Sequence, residues 1–216
     1  TYVDKIATGY SHACALTFDG QVYCWGDNES GQLGRGVVGG QSNVPVLVKG
    51  LLDVVDISTG YYFTCALERA GKTLCWGDNY ENEIDSNLEQ SVPTPHLIPI
   101  DDYFSQITAG RDHVCGLTYT QKVRCWGSNQ FGQWGSNQVY PDRNNIPITW
   151  DTKFAYDKGM GKVKSIVAGN QFTCAINLND ETWCWGKGDF GELGGGETHF
   201  NGMMIYNDMP NYVSGS

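Results

Sequence analysis

A sequence pattern that recurs four times constrains the fold of this chain more than any other feature. Each copy contains the dipeptide Trp-Gly directly after a cysteine, and the tryptophans of the four copies are Trp25, Trp76, Trp126 and Trp185. The first three copies are roughly 50 residues apart and the last interval is longer. Internal repetition at this period is typical of solenoids and propellers, so the repeat decides the architecture.

Each copy reads as a series of short strands, and no capped helical segment of useful length is found. In the first copy, "CALT" and "QVYCW" flank Phe18-Asp19-Gly20, a three-residue hairpin loop with glycine where a left-handed conformation is needed. The second copy keeps this glycine as Gly71, whereas the third and fourth have Gln121 and Asp180, so we expect less ideal turns there. The pattern predicts an all-β fold, a β-propeller or propeller segment of four blade-like repeats.

We expect residues 1–216 to form a single repeat domain, with units at approximately 1–44, 45–94, 95–147 and 148–216. The two ends together amount to one complete passage between units. Three arrangements follow: an in-phase piece of a longer propeller, a closed four-bladed ring, or a head-to-tail assembly in which one copy completes a blade of the next. The absence of a leader before Thr1 predicts a processed chain or an excised segment.

All eight cysteines belong to the repeats, as the pairs Cys14 and Cys24, Cys65 and Cys75, Cys115 and Cys125, and Cys174 and Cys184. Counting outwards from the hairpin loop places Thr17 opposite Gln21 and Cys14 opposite Cys24. Opposed residues of a non-hydrogen-bonded pair are close enough for a disulfide. Other pairings are open to eight cysteines, but the same counting holds in every copy. We therefore predict a disulfide within each hairpin.

Other chemistry for the cysteines is less favoured. Zinc sites use closely spaced cysteine knuckles, and the chain contains no C-x-x-C. A catalytic thiol is expected once, with a histidine partner, rather than four times in the same setting. We therefore expect no metal and no cofactor, and four disulfides predict an oxidising compartment, with the chain secreted or at the cell surface.

The repeat resembles that of the regulator-of-chromosome-condensation family, which has the character A-G-x-x-H-x-x-A-L-x-x-D-G-x-V-Y-x-W-G-x-N-x-x-G-Q-L-G. The first copy carries the match at Gly9, His12, Ala15, Leu16, Asp19, Gly20, Val22, Tyr23, Trp25, Gly26, Asn28, Gly31, Gln32, Leu33 and Gly34. The resemblance covers nearly the whole chain and implies a β-propeller of four-stranded blades. It is closest in character to the cysteine-bearing versions of secreted and cell-surface proteins. Function in this family lies on loops and not in the repeat itself.

Composition excludes several classes of function. The chain has 14 Lys and Arg residues against 24 Asp and Glu, a formal net charge of −10, so nucleic acid is not an expected partner. No apolar run is long enough for a membrane span. No set of residues typical of catalysis is found, which predicts a non-enzymatic secreted binding or structural module that mediates protein or glycan interaction. The alternative is a self-assembling structural subunit of an extracellular ring or filament, joined head-to-tail through its complementary ends.

Candidate binding residues lie where the repeat is interrupted. The longest interval contains an aromatic and locally basic insertion within residues 144–165, with Trp150, Lys153, Phe154, Tyr156 and Lys158. Aromatic residues on an inserted loop are typical anchors of a partner interface, so these five are the predicted partner-binding residues. The alternative is that they only cover the propeller rim. The segment 194–213 is interpreted in the same two ways.

Three further features have competing interpretations. Asn28 begins the sequon Asn-Glu-Ser and is a predicted glycosylation site, or else a buried turn residue like its counterparts Asn79 and Asn129. The acidic loops 27–31 and 78–85 have oxygen ligands for calcium, although turn formation is the more usual role of such residues. His12 and His113 share their repeat position with Phe63 and Phe172, which predicts packing or a local hydrogen bond.

Overall fold

The computed structural model describes residues 2–135 and 160–194, together with the backbone of residues 206–212. These residues form antiparallel sheets, and the described part of the chain contains no helix and hence none that could cross a membrane. The strands are β1 (Val3–Thr8), β2 (His12–Thr17), β3 (Val22–Asp27), β4 (Gln41–Leu47), β5 (Val54–Thr59), β6 (Phe63–Glu68), β7 (Thr73–Asp78), β8 (Ser91–Leu97), β9 (Phe104–Ala109), β10 (His113–Thr118), β11 (Val123–Gly127), β12 (Val163–Ala168), β13 (Phe172–Asn177), β14 (Thr182–Lys187) and β15 (Tyr206–Tyr212).

The strands assemble into four blades in chain order. Blade 1 contains β1 to β4, blade 2 contains β5 to β8, and blade 4 contains β12 to β15, each with sequential antiparallel pairing. Blade 3 has β9, β10 and β11 among the described residues. The first strand of each blade, called here the inner strand, packs beside the inner strand of the next blade, in the order β1, β5, β9, β12. The predicted all-β fold of four blade-like repeats is therefore confirmed.

The hairpin register and its disulfides follow the sequence prediction. Cys14 pairs with Cys24 across β2 and β3, with a Cα–Cα distance of 4.1 Å. The other three disulfides occupy the same register with Cα–Cα distances of 4.0 to 4.1 Å. No cysteine is free. The loop residues Gln121 and Asp180 both have φ of 65°, close to the 77° of Gly20, so the turns without glycine keep the left-handed backbone.

The core lies at the seams between consecutive blades. One blade contributes the face that carries its disulfide and a leucine, as with Cys14 and Leu16 in blade 1. The next blade contributes Ile57 from its inner strand and Trp76 of the Trp-Gly pair, both fully buried. The seams between blades 2 and 3 and between blades 3 and 4 repeat this arrangement. Repetition of one seam thus supplies the core, as expected for a propeller.

The outer faces of blades 1 and 4 differ from these seams. Ile6 of β1 is 59% exposed, whereas its counterpart Ile57 is buried, and Trp25 is only half-buried. On blade 4, Ile176 is 36% exposed, whereas its counterpart Leu16 in blade 1 is buried. Residues that are buried at the internal seams are therefore accessible at both ends of the row of blades.

Candidate functional site

The inner strands end in a shallow depression that we call the axial depression. It has a volume of about 310 Å³ and is lined by the equivalent residues of all four blades: Thr8, Gly9, Tyr10, Thr59, Gly60, Tyr61, Ala109, Gly110, Arg111, Ala168, Gly169 and Asn170. The residue after each glycine joins one blade to the next through the backbone. Tyr10 N donates to Tyr61 O, Tyr61 N to Arg111 O, and Arg111 N to Asn170 O, at 3.2, 2.9 and 2.7 Å.

An aromatic cluster lies at this depression. The rings of Tyr10 and Tyr61 are stacked with centroids 4.1 Å apart, and Tyr62 meets both rings edge-on. The Arg111 guanidinium lies 5.0 Å from the centroid of the Tyr61 ring and pairs with Asp112 at 3.1 Å. Tyr10 is 64% exposed although its ring is stacked. The cluster is thus held in place by contacts between three blades and still presents aromatic surface to solvent.

Carboxylates lie beside the aromatic cluster, at the seam between blades 2 and 3. Burial, and then the charge of Asp112, raise the pKa of Asp78 to about 6. Burial, and then the charge of Asp78, raise the pKa of the fully buried Glu83 well above its usual value. The pKa values of Glu81 and Asp112 are also raised, mainly by burial, while Arg111 opposes the rise in both. The pKa values are raised because these carboxyl groups are buried close to one another. Among the described residues, Arg111 is the one cation that opposes these shifts.

The corresponding position in blade 1 has different chemistry. There the Gln32 side-chain amide donates to Asp27 Oδ2 at 2.8 Å, and Gln32 Oε1 accepts from Ser30 N at 2.9 Å. Glu83 Oε2 likewise accepts from Glu81 N at 2.9 Å, but a carboxylate has no hydrogen to donate to Asp78 unless it is protonated. Blade 2 therefore has a pair of acids where blade 1 has a hydrogen bond.

The two histidines of the repeat are structural. His12 Nε2 lies 2.9 Å from Thr64 Oγ1, and the Thr64 hydroxyl in turn donates to Gln32 O at 3.1 Å. Because the hydroxyl hydrogen is used there, His12 Nε2 carries the proton and donates. Burial lowers the pKa of His12 to about 4 against the opposing charge of Asp27. A hydrogen bond is present at this position as predicted, but it is not local, because His12 and Thr64 lie 52 residues apart in neighbouring blades.

His113 repeats this relay at the seam between blades 3 and 4. Its Nε2 lies 3.0 Å from Thr173 Oγ1, which donates to Gln133 O, and burial lowers the pKa of His113 to about 3. Each ring also covers the glycine three residues before it. A Cβ on Gly110 would lie 2.2 Å from His113 Cε1, so no side chain fits at that position.

The matches to a known family coincide with the units that form the blades. A family model described as the regulator of chromosome condensation (RCC1) repeat matches residues 3–32, 54–83, 104–133 and 163–192, once in each blade. A second model with this description matches residues 19–67 and 122–176. The chain belongs to the RCC1 repeat family. The resemblance drawn from the repeat pattern is thereby confirmed.

Two sequence relatives are longer proteins than this chain. The chain is 34% identical over 203 residues to the mitochondrial RCC1 domain-containing protein RUG3 of Arabidopsis thaliana, covering 89% of this chain and 44% of RUG3. It is 32% identical over 199 residues to the human probable E3 ubiquitin-protein ligase HERC4, covering 90% of this chain and 18% of HERC4. The chain thus spans less than half the length of these relatives.

Three solved structures have a similar fold. Human WBSCR16 matches with a TM-score of 0.80 and 22% identity over 98% of this chain and 53% of that one. Yeast RCC1 (Prp20), solved bound to Kap60, matches with a TM-score of 0.74 and 22% identity over 99% of this chain and 49% of that one. The ectodomain of the Physcomitrella patens receptor kinase CR4 matches with a TM-score of 0.51 and 26% identity, over 85% of this chain and 40% of that one.

Asn28, the predicted glycosylation site, is fully buried. Its Nδ2 donates to Val37 O and Gly39 O at 2.8 and 3.1 Å, and its Oδ1 accepts from Leu33 N at 3.0 Å. A glycan would replace one of the two Nδ2 hydrogens and so remove one of these donated bonds, and the fully buried side chain leaves no space for it. The alternative interpretation, a buried turn residue, fits the geometry, and Asn79 occupies the same place in blade 2.

The remaining predicted site residues divide into two groups. Trp150, Lys153, Phe154, Tyr156 and Lys158 lie outside the described residues, as do residues 195–205 of the second long segment. Within the described ranges, no cluster of three or more His, Cys, Asp or Glu residues is arranged to hold a metal ion, and this includes both acidic loops. Partner binding by the aromatic insertion stays a prediction, because its five residues lie outside the described part of the chain.

The aromatic cluster of the axial depression is not among the residues predicted from the sequence. Its members follow the constant glycine of each repeat, where the four copies read Tyr-Ser, Tyr-Tyr, Arg-Asp and Asn-Gln. A position that varies between constant neighbours on a structural repeat is a signal of surface function, because packing does not restrict it. That signal was available from the alignment of the four copies.

Proposed function

We propose that this chain is a non-enzymatic protein-binding module that recognises its partner through the axial depression. Yeast RCC1 (Prp20) was solved bound to Kap60, and another structure of the same protein is described with its binding properties to Gsp1p and histones. HERC4 is named as a probable ubiquitin ligase, but this chain covers only 18% of it, so we do not extend that activity to this chain.

The observation that carries the proposal is the exposed tyrosine cluster. Tyrosine is enriched at interface hot spots because it supplies a large apolar ring and a polar tip at low entropic cost. Tyr10 is 64% exposed while stacked on Tyr61, so the surface is already ordered before a partner arrives. An ordered surface reduces the entropic cost of association.

Cross-linking capture with wild-type chain and with the Tyr10→Ala and Tyr61→Ala variants tests this proposal. We expect proteins captured by the wild type to be lost from both variants. The matched control is Phe18→Ala, which removes a ring that is 73% exposed in the same blade but lies in a hairpin loop away from the depression. Capture of the same proteins by all four chains would contradict the proposal.

The aromatic insertion is proposed as a second contact with the partner. Its five predicted residues belong to the only long interval between repeats, and loops of this composition are typical anchors. Deleting residues 152–160 is expected to weaken binding of a partner identified by the capture experiment. Unchanged binding of that partner would count against the insertion.

An oxidising compartment, outside the cell or at its surface, is part of the proposal. All eight cysteines are paired within hairpins, and disulfides persist where thiols are not continually reduced. The likeness to a receptor-kinase ectodomain supports the same assignment. Alkylation of the denatured, unreduced chain from its native source is expected to find no free thiol. Several free thiols would overturn the assignment.

A second candidate function is head-to-tail self-assembly, with blade 1 of one copy against blade 4 of another. The exposed Ile6 and Ile176 favour it, because their counterparts are buried at every internal seam. Sedimentation is expected to give a mass above the 23.8 kDa of one chain, reduced to that value by Ile6→Asp. Val44→Asp is the matched control, since Val44 is also 59% exposed but lies on β4. A compact monomer at high concentration would exclude this function.

A further inference from the structure

A second concave site lies between blades 2 and 3, at the hairpin loops. We call it the loop cleft; it has a volume of about 450 Å³ and is lined by Ala70, Asp102, Tyr103, Thr118, Tyr119 and Thr120. Tyr103 precedes β9, whereas Ala109, at the other end of that strand, lines the axial depression. Six residues of strand separate the two sites by about 20 Å. The loop cleft is therefore distinct from the site proposed for the protein partner.

Two open tyrosine rings form the walls of the loop cleft. Tyr103 is 51% exposed and Tyr119 is 62% exposed, and Tyr119 N donates to Tyr103 O at 3.3 Å. Gly71 of blade 2 lies beneath them, because a Cβ there would be 3.0 Å from both Tyr103 Cβ and Tyr119 Cε2. Both tyrosines thus lie close to a loop of the neighbouring blade, and their side chains keep accessible surface.

Blade 2 shows that another pair of side chains can occupy this position of the repeat, whereas blade 1 also has exposed aromatic residues there, Tyr2 and Phe18. Asp53 and Arg69, the counterparts of Tyr103 and Tyr119, form an ion pair at 2.8 Å. The backbone bond is the same in both blades, with Arg69 N donating to Asp53 O at 2.9 Å. Neither position therefore needs an aromatic side chain for the fold, and two exposed tyrosines at one cleft call for another explanation.

Polar groups surround the two rings. Asp102 Oδ2 accepts from Arg124 Nε at 2.8 Å, and the hydroxyls of Thr118 and Thr120 lie 2.9 Å apart. The Lys72 ammonium is 4.8 Å from the centroid of the Tyr103 ring. The cleft thus combines aromatic faces with a carboxylate, two hydroxyls and a cation, which together can both donate and accept hydrogen bonds.

We propose that the loop cleft binds a pyranose sugar of a glycan. A pyranose presents an apolar face of C–H groups to an aromatic ring, and its hydroxyls need donors and acceptors at the edge of that ring. Tyr103 and Tyr119 supply the rings, and Asp102, Thr118 and Thr120 supply the polar edge. The volume suits a small ligand with one or two sugar rings. Nucleic acid fits poorly because the chain has a net charge of −10.

Saturation-transfer NMR with free pyranosides tests the proposal on the intact chain. The probes are the methyl pyranosides of mannose, galactose and glucose, N-acetylglucosamine, and glucuronic acid. We expect transfer from the protein to the C–H groups of at least one pyranoside. The affinity for that pyranoside should fall by about tenfold in Tyr103→Ala and in Tyr119→Ala, because each removes one stacking face.

Matched variants separate stacking from general damage to the fold. Phe18→Ala removes the exposed ring at the blade 1 position equivalent to Tyr119 and should leave the affinity within about twofold. Tyr119→Phe keeps the stacking face and should retain most of the binding. Absence of transfer to every probe, or equal transfer to the wild type and both alanine variants, would overturn the proposal. Neither result would bear on the protein-binding site, which Tyr10→Ala tests separately.

Discussion

Blades 1 and 2 share one backbone plan but use different chemistry at equivalent positions. His12 in blade 1 donates to Thr64 of the next blade, whereas its counterpart Phe63 packs in the same apolar cluster as Val114. Ring and partner therefore change together, from a polar pair to an apolar pair. The difference shows that the repeat determines how much volume is available between two blades. Whether that volume is filled by a hydrogen-bonded pair or by an apolar pair differs from one seam to the next.

The largest expected effect comes from placing the chemistry of blade 1 in blade 2. Phe63→His would bury an imidazole opposite Val114, which has no polar side chain to accept its hydrogen. We expect the free energy of unfolding to fall by about 3 kcal/mol, measured by urea unfolding with disulfides intact. Adding Val114→Thr should recover at least about 1 kcal/mol of this loss. No recovery would show that the two seams differ in more than this pair.

The reverse exchange tests whether the polar pair in blade 1 acts as a unit. Thr64→Val leaves His12 Nε2 without its acceptor and should cost about 2 kcal/mol. The double variant with His12→Phe should lie within about 1 kcal/mol of the wild type, since both partners are then apolar. Additive losses in the double-mutant cycle would contradict the coupling.

The same double variant should change the dependence of stability on acid pH. The pKa of His12 is about 4 in the folded chain, below its ordinary value of 6.5, so the unfolded chain binds more protons between these values. Stability from this histidine is therefore present above pH 6.5 and is lost as the pH falls towards 4. Unfolding at pH 7.5 and pH 5 should show a smaller decrease for the double variant than for the wild type. An equal decrease would contradict the assignment.

A smaller effect is expected where blade 2 has two acids. Glu83→Gln gives blade 2 the amide that Gln32 provides in blade 1, able to donate to Asp78 as Gln32 donates to Asp27. We expect about 1 kcal/mol more stability at pH 7.5. The gain should shrink at pH 5, because the raised pKa of Glu83 means that the wild-type carboxyl takes up a proton as the pH falls. Gln32→Glu is the matched reverse change and should destabilise blade 1, most strongly at pH 7.5.

The smallest effect concerns the hairpin loop, where blades 1 and 2 agree and blade 3 differs. Gln121 holds a left-handed φ of 65° that glycine adopts without steric cost. Gln121→Gly should raise the midpoint of thermal unfolding, by an amount equivalent to about 0.5–1 kcal/mol. Gly20→Gln is the converse change in blade 1 and should lower the midpoint. A fall with Gln121→Gly would mean that the flexibility added to the unfolded chain outweighs the relief of strain.

Features within one repeat could be predicted from the sequence, and features between repeats could not. The register of Cys14 and Cys24 follows from counting along a hairpin, because strand pairing has a period of two. The contact of His12 with Thr64 joins residues of different repeats, and nothing in the local spacing indicates which residues face each other across a seam. The loop cleft was missed for the same reason, since Gly71 and Tyr119 belong to neighbouring blades.

The disulfides also determine how the chain responds to force. Each one joins residues ten positions apart in the middle of a blade, so the hairpin between them stays closed even when its blade has separated from its neighbours. Without the disulfide, the chain between the two cysteines could extend to a span of about 36 Å. When the chain is stretched from its ends, each disulfide therefore keeps one hairpin from extending. Reduction of the four disulfides would add the length of one hairpin in each blade.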